Sequence, residues 1–374
     1  MEFKIPTGKL QTIISKLSNI VKMNENDISG MLYIEADDNI KFKATNGFVH
    51  ITIDSNECEI IEKGKVLLKF RDIKGYVLRF VPLSENYGTK NFHFIIKNDE
   101  GNIKTKTLFP NSKPSYKTLK FEIFNTTQYP IIKPFGEVQL IINSNILKRG
   151  IEKVLHCIDP TEIRNALKGL NVTIDEDKIV FVGTNGVKLA EDTMNINADI
   201  RQASYIFKHD LATILRFILD DDSQVFISFE GRYVYIKCND IYIIGSLIIG
   251  ESYPDYKPMF ACNETIIFPR VDFTDSILAI MDVLDPEDNN RLTLNFNSNK
   301  LTLKNDRVEA VHEFDNNFNS VLDVDVNGVF LASMLKDFIG DNLEIHFTKG
   351  NNYITFKSEN DSNHIALITT VKRR

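Results

Sequence analysis

The chain has 374 residues, 43% hydrophobic and 25% charged, which bounds it to a globular protein of two or three ordinary domains. No uncharged apolar run reaches the length of a membrane span, and Met1 to Thr7 reads as a short strand rather than a signal peptide, so a cytoplasmic protein is expected. The formal net charge of −7 argues at first against a nucleic-acid partner, although the placement of charge matters more than its sum, and Cys58, Cys157, Cys238 and Cys262, far apart and without a CxxC pair, read as free thiols in a reducing compartment.

The first amphipathic helix is predicted over 7–22, with Leu10, Ile13, Ile14 and Leu17 at helical spacing and Thr7 at its start. A hairpin follows at Lys43-Ala44-Thr45-Asn46-Gly47-Phe48-Val49, where Asn-Gly suits a tight turn because both residues tolerate positive φ. A second helix is predicted over 70–81, and alternating strands such as Phe92-His93-Phe94-Ile95-Ile96 follow it. The same order then recurs. A helix over 143–157 starts at Asn143 or Ser144 and aligns Leu147, Ile151, Val154 and Leu155 on one face. The turn Val182-Gly183-Thr184-Asn185-Gly186-Val187-Lys188 repeats the first hairpin, and a second helix spans 207–219 before Tyr233-Val234-Tyr235-Ile236. In the last third a helix over 269–283 places Pro269 in its first turn, Lys304-Asn305-Asp306-Arg307 takes the place of the Asn-Gly turns, and a helix spans 327–339.

Three anchors share nearly one register. Leu78-Arg79-Phe80, Leu215-Arg216-Phe217 and Leu335-Lys336-Asp337-Phe338 correspond, as do Thr107-Leu108, Ser246-Leu247 and Ala366-Leu367. This reads as three similar domains, 1–128, 129–258 and 259–374, each α+β with two helices laid on antiparallel sheets.

The six predicted helices hold thirteen basic and seven acidic residues, while the rest of the chain holds thirty-one basic and forty-four acidic. The basic set is Lys9, Lys16, Lys22, Arg71, Lys74, Arg79, Lys148, Arg149, Lys153, Lys208, Arg216, Arg270 and Lys336. Each helix alone could be an ordinary solvated face, and the third segment dilutes the pattern because its first helix is net negative. Enzymatic chemistry is not expected: there is no Gly-rich phosphate loop, no GxSxG and no HExxH, and the seven histidines are scattered. Asp220-Asp221-Asp222 reads as an exposed turn and Asp323 with Asp325 as a solvated strand face, in preference to a metal site. No cofactor is implied.

Two segments carry a family resemblance that covers the whole chain. Thr184-Asn185-Gly186-Val187-Lys188-Leu189-Ala190 resembles the Thr-Asp-Gly-His-Arg-Leu-Ala segment of bacterial DNA sliding clamps, the beta subunits of DNA polymerase III. Ser252-Tyr253-Pro254-Asp255-Tyr256 resembles that family's Phe-Pro-Asp-Tyr segment, and Arg164 to Gly169 resembles the strand before the first motif. The resemblance implies a head-to-tail homodimeric ring of six domains, with twelve helices lining a hole and sheets forming the wall. The thirteen basic residues would then face duplex DNA without reading its sequence. A ring of three two-domain chains, the eukaryotic design, fits three repeats less well.

The resemblance also implies a pocket for short linear peptides of the polymerase and the clamp loader. Carried over by motif, it would comprise Leu167, Thr184, Gly186, Val187, Lys188, Leu189, Pro254, Met259, Leu367, Thr369, Thr370, Val371 and Lys372, with Leu189 and Val371 among its lining. This chain departs from the family at Val187 (usually His), at Lys188 (usually Arg), and in its tail, which lacks a Met-Pro-Met ending. Those departures bear on peptide preference. The competing reading is an oligomeric β-rich scaffold with no role on DNA.

Overall fold

A computed structural model describes residues 1–22, 27–80, 88–97, 100–109, 111–198, 202–313, 318, 320–350 and 352–372. The last residue of the predicted 70–81 helix and the tail residues Arg373 and Arg374 lie outside these. Six α-helices occur among the described residues: α1 Thr7–Leu17, α2 Phe70–Leu78, α3 Ser144–Leu155, α4 His209–Ile218, α5 Arg270–Ile280 and α6 Gly328–Leu335. Each begins at the residue after a strand ends, so strand and helix share one continuous entry without a linker.

All six are shorter than their periodicity predicts, and the ends have local causes. The Ser18 hydroxyl and N–H both bond the Ile14 carbonyl, which closes α1 and leaves Lys22 outside it. Pro269 ends a strand and caps α5 instead of standing in its first turn, and beyond Ile280 the coil tightens to a 3₁₀ turn at Met281–Val283. Asn327 is not in α6 but caps it, its side chain accepting from the Phe330 N–H at 2.9 Å. Phe207 and Lys208 belong to the strand Ala203–Lys208, not to α4.

The chain forms two compact units, residues 1–145 with 213–247, and residues 146–212 with 248–374. Both take part of the central segment 129–258. In the first unit an antiparallel eight-stranded sheet runs Leu140–Asn143, Gln224–Glu230, Tyr233–Cys238, Ile241–Ile248, Val49–Ser55, Ile40–Thr45, Met31–Ala36, Gly64–Lys69. A second sheet runs Glu59–Glu62, Glu2–Pro6, Gly88–Lys97, Glu100–Leu108, Ser115–Phe124. Helix α1 packs on α2 and on Gly88–Lys97, burying Leu10, Ile13, Ile14 and Leu17. Each such side chain contributes about 1.5–3 kcal/mol.

The second unit repeats the plan. Its eight-stranded antiparallel sheet runs Ala203–Lys208, Gly169–Ile174, Lys178–Thr184, Lys188–Asn195, Asp361–Thr369, Tyr353–Ser358, Asn342–Phe347, Glu264–Pro269. A four-stranded sheet runs Leu322–Asn327, Arg291–Asn297, Lys300–Lys304, Glu309–Glu313. Helix α3 lies unusually close to its sheet. A Cβ on Gly183 would sit 2.4 Å from the Val154 carbonyl oxygen, and one on Gly150 would sit 2.1 Å from the Phe181 ring.

The three predicted turns close in one way, though not by the expected backbone geometry. Asn46 and Asn185 have ordinary φ, and only Gly47 (φ +91°) and Gly186 (φ +83°) are left-handed. The asparagines act through their side chains. Asn46 Oδ1 accepts from the N–H groups of Phe48 and Val49, Asn185 Oδ1 from Val187 and Lys188, and Asn305 Oδ1 from Arg307 and Val308, all at 2.8–3.0 Å.

Candidate functional site

In the second unit Lys188–Asn195 pairs with Asp361–Thr369, setting Leu189 opposite Leu367. These two, with Val180 and Val182, form a buried apolar cluster, on which Tyr253, Tyr256, Met259, Phe260 and Tyr353 pack as half-buried neighbours. The segment 253–260 is therefore a strap laid over the sheet. Three bonds hold it: the Tyr253 hydroxyl donates to the Val182 carbonyl at 3.3 Å, the Tyr256 hydroxyl to Glu191 at 2.5 Å, and Lys257 Nζ lies 2.6 Å from Glu191. Burial, reinforced by the Glu191 carboxylate, pushes the Tyr256 phenol far above its ordinary pKa, so it remains a donor. Pro254 stays exposed on the strap.

The other expected pocket residues are placed as follows. The Thr184 hydroxyl donates to the Lys188 carbonyl at 2.7 Å, closing the turn that exposes Val187. The Thr369 N–H donates to the Val187 carbonyl at 2.8 Å, tying the end of the last strand to that turn. Gly186 faces the Arg164 guanidinium so closely that a Cβ would fall 2.2 Å from Nη2. Lys188 is buried, its Nζ 4.9 Å from the Phe330 ring centre and 3.3 Å from the Ser333 hydroxyl, and burial lowers its pKa. Leu167 is buried in the 3₁₀ turn Asn165–Lys168 and is not a member of the cluster. Beyond Thr369 the chain leaves the strand. Thr370 N–H bonds the Asn352 carbonyl, Val371 N–H bonds the Asp325 carbonyl at 2.7 Å, and Lys372 is exposed. Leu189, Leu367 and Met259 thus come together, whereas Val371 is held at Asp325. The residues that sequence reasoning passed over are Val180, Val182, Tyr353, Phe260 and the latch Glu191.

The basic residues differ in how free they are. In the first unit Lys9 pairs with Asp240 at 2.9 Å and Lys16 with Asp220 at 2.6 Å. Lys22, Arg71 and Arg79 are exposed, Lys74 is half-buried, and Arg216 lies half-buried against the Phe217 ring at 4.3 Å. In the second unit Lys148 and Lys208 are half-buried, Lys336 is exposed, and Arg270 Nε donates to the Gly340 carbonyl at 2.6 Å. Arg149 is most engaged, reaching Asp361 at 2.6 Å and the fully buried Asp192 at 3.2 Å, while Lys153 reaches Asp361 at 3.2 Å. Burial raises Asp192 above the usual carboxylate range despite Arg149. Burial also opposes ionisation of Asp361, but Arg149 and Lys153 together outweigh it and hold that carboxyl low. His364 is completely buried, its Nδ1 bonded to the Glu191 carbonyl at 3.1 Å and its Nε2 without a partner, and burial lowers its pKa to about 4.

Of the acidic residues weighed as a metal site, Asp325 is buried rather than solvated, accepting from Thr293 at 2.8 Å with Arg291 at 3.3 Å. Asp220 and Asp222 are bonded to Lys16 and Asn145. Among the described residues no group of three or more His, Cys, Asp or Glu could hold a metal ion.

A family model described as DNA polymerase III beta subunit, central domain, matches residues 141–255. The chain is 23% identical to the beta sliding clamp of Buchnera aphidicola subsp. Rhopalosiphum padi over 347 residues, 90% of this chain and 92% of that protein. Its fold matches crystal structures of the DNA polymerase III beta subunits of Pseudomonas aeruginosa (TM-score 0.87, 13% identity) and Thermotoga maritima (TM-score 0.85, 16% identity), each over 100% of both chains. Residues 141–255 thus match the central domain of the DNA polymerase III beta subunit, and the chain as a whole is similar to bacterial beta sliding clamps and shares their fold.

Proposed function

We propose that this sliding clamp works as a ring of two head-to-tail copies that encircles duplex DNA and tethers a polymerase without turning over a substrate. The observations that carry the reading are the likeness to bacterial beta sliding clamps over 90% of the chain and, in each unit, a sheet edge suited to pairing with another copy. Ser115–Phe124 pairs with Glu100–Leu108 and, through Ile123 and Phe124 alone, with Gly64–Lys69, while Glu309–Glu313 pairs only with Lys300–Lys304, among the described residues. Within each unit, sheets already continue by antiparallel pairing of such edges, Val49–Ser55 with Ile241–Ile248 and Lys188–Asn195 with Asp361–Thr369. The two edges differ in charge balance, Lys117 and Lys120 with Glu122 on one, Glu309 and Glu313 on the other, although Glu313 is already paired with Lys300 at 2.6 Å. A copy of the chain therefore supplies the matching partner for each.

A tether must hold DNA and still move along it. Bidentate base contacts would arrest it, whereas helix-borne Lys and Arg add diffuse, salt-dependent attraction to phosphates. In this reading Lys22, Lys74, Arg79, Arg216, Arg270 and Lys336 contribute most, and Arg71, Lys148 and Lys208 add to the same face. Lys9, Lys16, Arg149 and Lys153, already paired with carboxylates, contribute least. The polymerase gains because rebinding becomes intramolecular, at effective concentrations on the order of millimolar for short flexible tethers.

The strap-covered cluster at Leu189 and Leu367 is the proposed pocket for linear peptides of the polymerase and clamp loader. Thr184 to Lys188 and Thr369 to Lys372 would form its polar margin. No described helix is long and apolar enough to cross a membrane, and action on DNA in the bacterial cytoplasm is the setting this reading implies.

The test loads the protein onto nicked circular DNA and follows its retention. A clamp stays on the circle and is lost when the circle is cut. Equal retention on circular and linear DNA would favour the scaffold reading.

A further inference from the structure

The strap over the second unit's sheet has a counterpart in the first unit. Tyr129-Pro130-Ile131-Ile132-Lys133-Pro134-Phe135 matches Tyr253-Pro254-Asp255-Tyr256-Lys257-Pro258-Met259 at four identical positions, with an apolar residue ending each. The likeness extends to packing. Tyr129 is buried on Met31, Tyr33 and Leu67, its ring 4.9 Å from that of Tyr33, with Ile132 beside them. The Tyr242 hydroxyl donates to the Lys133 carbonyl at 2.9 Å, and the Phe135 ring meets the Tyr242 ring edge-on at 5.9 Å. Each strap therefore crosses its sheet near the antiparallel strand pair that joins residues far apart in the chain.

The floors beneath the straps differ in chemistry. The aligned turns Thr45-Asn46-Gly47 and Thr184-Asn185-Gly186 set the correspondence, with Lys41 where the other unit has Val180, and Lys43 where it has Val182. Lys43, Thr52, Tyr242 and Lys237 are directly opposed neighbours across four adjacent strands. Together with the strap they bound a cleft of about 300 Å³. Lys43 is already paired with Glu35 at 2.6 Å, but Lys41 and Lys237 form no ion pair among the described residues. Asp54, opposite Lys41, has an Oδ1 that is buried and without a hydrogen-bond partner.

We infer that this cleft is a second docking site, taking an extended acidic peptide whose carboxylates reach Lys41 and Lys237. The plan is borrowed from the peptide pocket proposed above, where valines stand in place of the lysines. A carboxylate beside the cations favours a peptide, whose acidic side chains can be spaced to avoid Asp54, over a nucleic acid strand, whose phosphates recur at every nucleotide. The apolar walls, Ile132, Pro134 and Phe135, suit side chains alternating with the acidic ones on an extended segment.

The test uses the full-length protein and two fluorescein-labelled probes, a decapeptide of alternating glutamate and leucine and an apolar peptide of the clamp-binding type. Anisotropy should show saturable, salt-sensitive binding of the acidic probe. K41E/K237E should weaken it at least about tenfold, a change of roughly 1.4 kcal/mol. Both side chains reach solvent, and an unchanged melting temperature will establish that the double variant is folded. Leu189→Asp should leave the acidic probe bound while releasing the apolar one. The proposal is overturned if the wild-type protein shows no saturable binding of the acidic probe, if K41E/K237E binds it equally, or if oligothymidylate displaces it at equal concentration. Loss of the apolar probe alone from wild-type protein would instead sink the pocket proposed on the second sheet.

Discussion

The two eight-stranded sheets share a scaffold and differ in what their straps cover. In the second unit the strap is fastened to a buried carboxylate, Glu191, through Tyr256 and Lys257, and it covers valine and leucine. In the first unit Thr52 stands where Glu191 would be, the strap's own carbonyl accepts from Tyr242, and the floor beside it carries lysines. One backbone plan thus supports a buried apolar cluster and a cationic cleft, and the change lies in side chains that alternate on one sheet face. Because that face is covered in each unit by a short Pro-containing segment, its chemistry can change without altering strand register.

Several substitutions would break or sharpen this contrast. The largest effect should come from Gly183→Val. Ala44 occupies the corresponding place in the first unit, but the 2.4 Å approach to the Val154 carbonyl leaves the second unit no room even for a methyl group. A loss on the order of 4 kcal/mol is expected. Hydrogen exchange should rise through residues 146–212 and 248–374, and equal loosening of both units would contradict the contrast.

An acid response should follow from His364. Its folded pKa of about 4 lies below the unfolded value of 6.5, so the unfolded chain binds the extra proton first. The associated stability is complete above pH 6.5 and is lost as pH falls from 6.5 towards 4, by at most about 3 kcal/mol. Urea midpoints measured across this window should fall for the wild-type protein and fall less for His364→Phe. Parallel profiles would show that the buried imidazole does not titrate on unfolding.

Leu189→Asp should weaken an apolar clamp-binding peptide by about a hundredfold, near 2.7 kcal/mol, as measured by anisotropy, since it puts a charge into the cluster with Val180, Val182 and Leu367. Glu191→Gln should have the smallest effect, about fivefold on the same peptide, roughly 1 kcal/mol, because the amide can still accept from Tyr256 but no longer pairs with Lys257. A Gln variant that binds as the wild type would mean the ion pair does not position the strap.

Much of the fold was legible because it is written locally. Helical spacing found all six helices, since one apolar face per helix must meet a sheet, and Asn-Gly marked two turns. The mechanism at the turns was not legible. Composition suggested left-handed asparagines, while the structure uses their Oδ1 atoms, which also explains why Asn305 makes a turn without a glycine. Of the candidate pocket, Leu189, Leu367 and Met259 were found by motif. Glu191 was missed because a glutamate inside a strand looks solvated until Tyr256 and Lys257 are seen to cover it. The pairing of Arg149 with Asp192 and Asp361 joins positions separated by 43 and 212 residues, which no local pattern signals. The first strap escaped notice because a Pro-punctuated loop has no periodicity.

In the ring proposed above, the edges at Ser115–Phe124 and Glu309–Glu313 would make each subunit bifunctional, like a monomer in a condensation polymer. Pairing of unlike edges would be favoured by charge, Lys117 and Lys120 meeting Glu309 and Glu313. Growth then stops only when the final edge finds the first one, and a bend that prevented closure would yield filaments from the same contacts.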